Sequence, residues 1–363
     1  MKSLNAGTYW GIPVKIHWTF SLLFILFIGF GWYKGAGGLA LFSLGSFIIL
    51  MFVCVILHEY GHALTAKKYG IKTLDIIISP IGGIARLQKL PDKPIHELAV
   101  AIAGPLVNLG IALILFIVAF LFFSEESFSV PDESLELLAT PQGFISGLIW
   151  INFVLFAFNL IPAFPMDGGR ILRAFLSMRF GKVEGTKYAS LVGRALAIVF
   201  VIVGLMTQQI MLAFIGVFVF IMARSENEQM IIKSKLSVAF PKDIMKTNFT
   251  KLHLSTTMRE VYEMYIRGGE KNYVVYDSLG NISGVLPELF IKEAFKENEL
   301  DKTANAYMSN NIYFASEDLA LDKLFEDMNL KGVAIAIIKN GDQVQGVIDR
   351  QMLYNFIQLQ LLK

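Results

Sequence analysis

The chain has 363 residues, of which 55% are hydrophobic and only 17% charged, and its mean hydropathy is +0.56. That composition excludes an ordinary soluble globule and points to an integral membrane protein. The formal net charge of +2 gives no reason to expect nucleic acid as a partner, and the single cysteine, Cys54, excludes an intrachain disulfide.

Six apolar stretches mark the N-terminal part, at about 17–33, 39–66, 97–123, 143–163, 189–207 and 209–224. The first runs from Trp18 to Gly31 without a small-residue cleavage site, so a membrane span is expected rather than a cleaved signal peptide. It is short, because about 20 residues cross the hydrocarbon core. The second contains VCVILHEYGHALTAKKYG, residues 53–70. His58 and His62 are four residues apart and share one helix face. Two imidazoles so placed suit one Zn²⁺, and Glu59 beside the first is placed to act as a general base toward water. Ionisable residues inside a span are rare and functional by default. Cys54 lies one turn before His58, where a buried cysteine ordinarily behaves as a small hydrophobe.

A catalytic zinc needs a third protein ligand. His17 and His96 stand at the starts of apolar runs, where an interfacial role is commoner. Asp167 lies in NLIPAFPMDGGR, residues 159–170. Pro162 and Pro165 cannot continue a regular helix, and Gly168–Gly169 favours a turn. Irregular backbone at membrane depth is tolerated only where protein buries it or water reaches it. Asp167 is therefore expected to face a small polar cavity. Between these segments, LDIIISPIGGIARLQ, residues 74–88, reads as a β-hairpin. Ile76, Ile77 and Ile78 are β-branched, Pro80 and Gly82–Gly83 mark a turn, and Ile84 to Leu87 form a return strand.

Flanking charge sets the expected orientation. Residues 67–93 and 170–187 are rich in Lys and Arg, whereas 124–142 carries five acidic residues and no Lys or Arg. Positive-inside reasoning puts both basic segments, and with six spans both termini, in the cytoplasm. After about Ser225 no run is long enough to span. This part contains an internal repeat: KDIMK with Met245 recurs as NAYMS with Met308, and GNISGVL with Gly284 recurs as DQVQGVI with Gly346. Each copy holds a hairpin pattern flanked by helical ones, as expected of a cytosolic α+β module in two similar halves. The expected domains are 1–224, a linker at 225–240, and 241–363 with halves at about 241–298 and 301–360.

HExxH on one apolar helix and N-x-x-P-x-x-P-x-D-G-G-R at the end of a later one together resemble the site-2 protease family of intramembrane metalloproteases. AGPLVN, ending Gly104 to Asn108, and the opening GIPVKIHW resemble it too, so the likeness covers about residues 1–224. It implies that His58, His62 and Asp167 hold one zinc, that Glu59 is the base, and that Asn159 acts near the developing oxyanion or the substrate. The implied substrate is a peptide bond in a transmembrane helix of another membrane protein, and the implied location is the lipid bilayer of a prokaryotic cell membrane. One edge of the hairpin would pair with the unwound substrate by strand addition. A proline at Ile77 or Ile84 is then expected to remove an edge donor.

The C-terminal repeat resembles a pair of cystathionine-β-synthase-type (CBS) modules. Many such pairs bind adenosine nucleotides and carry Thr or Ser, then Asp or Asn three residues later. The equivalents here are Pro287 and Phe290, and Asp349 and Met352, so the pattern is absent from both halves. Nucleotide binding, homodimerisation and substrate contact all stay open as roles. The expected fold class is a polytopic α-helical membrane domain of about six spans with a short β-hairpin, plus a cytosolic α+β tandem CBS domain. The expected function is an intramembrane zinc endopeptidase of regulated intramembrane proteolysis, with the CBS pair a candidate modulator of its activity. The alternative is a CBS-regulated transporter or channel, although no internal repeat crosses the membrane half.

Overall fold

The structure, a computed structural model, describes residues 3–80, 82–123 and 137–361. The acidic stretch 124–136 lies outside the described residues. The chain separates into two compact units, Met1–Asn227 and Glu228–Lys363.

The first unit begins with a hairpin that the sequence reading did not anticipate: β1 (Ser3–Tyr9) and β2 (Ile12–His17). Helix α1 (Thr19–Tyr33) follows, then α2 (Gly38–Lys68), the strands β3 (Thr73–Ser79) and β4 (Gly82–Leu87), and α3 (Pro94–Phe122). Helices α4 (Pro141–Asn159), α5 (Asp167–Phe180), α6 (Lys182–Met206) and α7 (Ile210–Ser237) complete it. Among the described residues five helices, α2, α3, α4, α6 and α7, are long and apolar enough to cross a membrane. The first apolar stretch forms the 15-residue α1, which at about 1.5 Å per residue falls short of a hydrocarbon core of about 30 Å. Part of the basic segment after α4 is helical as well: it is α5.

The expected hairpin forms, with Ile77 opposite Ile84, but it is half of a larger sheet. The order is β1-β2-β3-β4, with β2 and β3 parallel. Alternation explains its placement: Ile12 and Val14 of β2 and Ile76 and Ile78 of β3 are buried against Ile48, Phe52 and Ala63 of α2. Buried Asp75 ties three strands together, accepting from Lys15 at 2.7 Å and from two Arg86 nitrogens at 2.6 Å. The Arg86 hydrogen bonds hold its carboxyl below the usual carboxylate range. Because β3 is flanked on both sides, Ile77 is not at an edge, which corrects one of the two proline positions.

Arg173 of α5 is fully buried. It donates to Glu97 of α3 at 2.6 Å and to Glu226 of α7, and its guanidinium lies over the Phe164 ring. Removing one partner from such a buried group typically costs about 3–5 kcal/mol, so this cluster fixes α5 against α3 and α7.

In the second unit each half runs strand, helix, strand, strand, helix. The first half is β5 (Lys251–His253), α8 (Met258–Ile266), β6 (Tyr273–Tyr276), β7 (Ile282–Leu286) and α9 (Glu288–Lys296). A short helix α10 (Ala304–Tyr307) leads to β8 (Tyr313–Ser316), α11 (Leu321–Leu330), β9 (Ile335–Asn340), β10 (Gln343–Asp349) and α12 (Arg350–Leu361). Both three-stranded sheets pair first and second strands parallel and second and third antiparallel. Thr257 and Glu260 form a capping box that starts α8.

The repeated motifs meet crosswise. A Cβ on Gly284 would lie 2.7 Å from Sδ of Met308, and one on Gly346 would lie 3.2 Å from Cγ of Met245. Matching backbone pairs accompany them, Val285 with Ser309 and Val347 with Lys246. Each glycine leaves room for the other half's methionine, which is why both motifs recur at nearly the same spacing. The stretch 225–237 continues α7, and Leu236 and Ala239 belong to this unit's core. Asp349 accepts the Met352 N–H at 2.8 Å and so begins α12.

Candidate metal centre

His58 and His62 project from one face of α2, as their spacing requires. Asp167 reaches them because the chain breaks after Asn159 and restarts as α5 at Asp167. The break needs both glycines that follow. A Cβ on Gly168 would lie 2.2 Å from the Ile161 carbonyl oxygen, and one on Gly169 would lie 2.7 Å from the Ala163 carbonyl carbon. Only glycines let α5 fold back this closely onto the segment before it.

His58, His62 and Asp167 are all buried, and each offers one ligand atom to a common point. Asp167 Oδ2 lies 3.1 Å from His58 Nε2 and 3.0 Å from His62 Nε2, and the two Nε2 atoms are 3.1 Å apart. His17 and His96 are elsewhere. His17 Nδ1 is 2.7 Å from the Thr19 hydroxyl, and His96 stacks on Tyr69 with ring centres 4.0 Å apart. Cys54 accepts a hydrogen bond from Asn152 at 3.4 Å and is not part of the cluster.

The other ring nitrogens decide what the cluster is. His62 Nδ1 donates to the Val100 carbonyl at 2.7 Å, and His58 Nδ1 donates to Asn108 Oδ1 at 3.1 Å. A ring whose Nδ1 proton is committed outward can turn the lone pair of Nε2 to a cation. Two such nitrogens and the Asp167 carboxylate then make one ligand set. Three ligand atoms about 2.0–2.1 Å from a tetrahedral zinc lie roughly 3.3 Å apart, a spacing that the observed 3.0–3.1 Å approaches. The donor set of two imidazoles and one carboxylate fits zinc.

Helix α3 makes the space. A Cβ on Gly104 would fall 2.2 Å from His62 Nε2 and 2.7 Å from His58 Nε2. Val100, Gly104 and Asn108 recur every four residues and form one face of α3 turned to α2. Sequence reasoning quoted AGPLVN only as a likeness. That small and polar stripe at helical spacing is the signal from which the role of this face was legible. Arg170 was also missed: its guanidinium stands 3.7 Å from Asp167 Oδ1, the oxygen turned away from the histidines.

Glu59 lies beside this cluster without joining it. Its Oε2 accepts the Ala85 N–H of β4 at 2.8 Å. Asn159 ends α4 and is half-buried.

The profile of peptidase family M50 matches residues 46–140 and 128–203. A zinc metalloprotease of Methanocaldococcus jannaschii is 32% identical over 340 residues, covering 94% of this chain and 91% of that relative. The chain belongs to peptidase family M50. Among solved structures, a site-2 protease from M. jannaschii has 38% identity over 62% of this chain and 95% of that one, with a TM-score of 0.46. A haemolysin-like protein of Oenococcus oeni containing a CBS domain has 16% identity over 35% of this chain and 95% of that one, with a TM-score of 0.31. M50 membership bears out the expected multi-pass membrane peptidase and leaves the transporter alternative without support.

Proposed function

We propose that His58, His62 and Asp167 hold one zinc ion, that Glu59 is the general base, and that the protein hydrolyses a peptide bond within a transmembrane segment of another membrane protein. The observation that carries this reading is the convergence of three buried potential ligand atoms, with the Glu59 carboxylate one residue away in sequence. Zinc held by His58, His62 and Asp167 would supply a Lewis acid at this point. Glu59 takes a proton there and returns it to the departing amine. Val100 and Asn108 hold the histidines in the ligating tautomer, and Arg170 offsets the charge on the outer oxygen of Asp167. Asn159, eight residues before Asp167, is assigned to the developing oxyanion or to a neighbouring substrate carbonyl.

The ligand set is tested by zinc stoichiometry. Asp167→Ala is expected to lose both bound zinc and activity, because two imidazoles alone rarely retain a catalytic zinc. Full zinc occupancy in that variant would move the third ligand elsewhere.

A transmembrane helix hides its amide bonds in its own ladder, so the substrate must be extended first. Strand addition to the sheet supplies replacement hydrogen bonds. Since β3 is internal, the pairing edge on the metal-centre side is β4. The Ala85 N–H points to Glu59 and hence away from β3; alternation then turns the Ile84 N–H inward and the Gly83 N–H outward. A proline at Ile84 would break the hairpin's own ladder, so the informative edge position is Ala85.

The basic segments 67–93 and 170–187 and the CBS pair are assigned to the cytoplasm. A membrane-impermeant thiol reagent applied to cells should label a cysteine at Ser129, in the acidic stretch, and not one at Ser237. The reverse pattern would invert the topology.

A further inference from the structure

The hydrogen bond between Glu59 and β4 joins two parts of the mechanism proposed above. Glu59 is the only side chain described as accepting from the outward edge of β4. It reaches that edge from close underneath, since a Cβ on Gly83 would lie 2.7 Å from Glu59 Cγ and 3.1 Å from Val55 Cγ1. The donor is a backbone N–H in an edge strand, the type of group that an added strand takes for its own carbonyl. The acceptor is the carboxylate next to the first histidine of the metal centre. A single N–H therefore stands between the proposed base and the proposed docking edge.

Resting on the protease reading, we propose that Ala85 is a positioning residue whose N–H is shared in turn: it holds the Glu59 carboxylate before substrate arrives and passes to a substrate carbonyl when an extended strand pairs with β4. Pairing then frees Glu59 to turn toward the metal centre. In the structure the carboxylate is tethered to the sheet. A helical segment that has not been extended offers no free carbonyl at the required place, so it leaves the tether intact. Extension of the substrate and release of the base become one event. Gly83 is part of the device, because any side chain there would drive into Glu59 and Val55.

The exchange is nearly balanced, which makes it workable. A carboxylate is a stronger acceptor than a peptide carbonyl, and hydrogen bonds to charged groups are the stronger kind. The neighbouring edge groups, with Gly83 among them, add further bonds to an incoming strand and tip the balance. Removing the carboxylate must then favour the strand, whereas removing the N–H must disfavour it.

The test uses the full-length protein in detergent micelles, stripped of metal with a chelator so that nothing is cleaved. The probe is a fluorescein-labelled decapeptide of alternating valine and threonine flanked by lysines. Glu59→Ala is expected to bind this peptide about three- to tenfold more tightly than wild type, the effect of one competing hydrogen bond. In wild type labelled with ¹⁵N-alanine, the Ala85 amide resonance is expected to move on titration with peptide. Ala85→Pro removes the donor and is expected to weaken binding by a similar factor. If that variant does not fold, the first two measurements decide the matter without it. Equal affinity of wild type and Glu59→Ala, an Ala85 resonance unmoved at saturation, or no binding to any variant would each overturn the shared donor. The protease reading fails differently, by absence of zinc-dependent cleavage in the wild type, and neither binding nor the amide resonance depends on that.

Discussion

Glu59→Gln should retain one zinc per chain and lose about two to four orders of magnitude in proteolytic rate. The amide has nearly the shape of the carboxylate, and its oxygen can still accept the Ala85 N–H, so the local packing under Gly83 is preserved. What disappears is a group able to take up and return a proton. Zinc should stay because the three converging ligand atoms belong to His58, His62 and Asp167, and Glu59 contributes none of them. The measurement is zinc by mass spectrometry beside cleavage of a membrane-embedded reporter. Undiminished cleavage with zinc present would remove Glu59 from the mechanism.

Gly104→Ala should abolish zinc binding without altering any ligand. The added methyl would stand 2.2 Å from His62 Nε2 and 2.7 Å from His58 Nε2, where the ion's own ligand atoms converge. Nothing cheap can give way: both imidazoles are tethered at Nδ1, and α3 is a packed helix. A loss of at least about a hundredfold in zinc affinity is expected, at the upper end of what groups behind a metal ligand usually control. Gly110→Ala on the same helix is the control, because a Cβ there meets nothing within 4 Å. That variant should keep its zinc and gain about 0.5–1 kcal/mol of helix stability. Normal zinc content in Gly104→Ala would mean that α3 does not approach the histidines as closely as this fold requires.

Much of the metal centre was legible because its chemistry is carried by residue identity at local spacing. His58 and His62 share a face at any place where the segment is helical. The break before Asp167 was recognisable because two prolines and two glycines in an apolar stretch leave a helix no regular way to continue, and its pairing with the histidines came from the family resemblance. The repeat around Gly284 and Gly346 was legible as recurrence, although its crosswise contact with Met308 and Met245 was not. The four-stranded sheet was not legible because β2 finds its partner β3 some sixty residues later (Val14 lies opposite Ile76), and no local pattern announces a parallel pairing over that distance. The same omission put Ile77 at an edge.

The sequence by itself determined the membrane setting, the doubled C-terminal module and the helix face that His58 and His62 share. Those follow from side-chain chemistry, hydropathy and periodicity, which are properties of short segments. The tertiary structure alone decided what each histidine's Nδ1 meets, because Val100 and Asn108 belong to another helix. It also decided why position 104 admits no side chain, and which amides of β4 face outward toward Glu59. Each of these is a relation between surfaces brought together by packing, and packing distances of two or three ångströms are not encoded in any one segment.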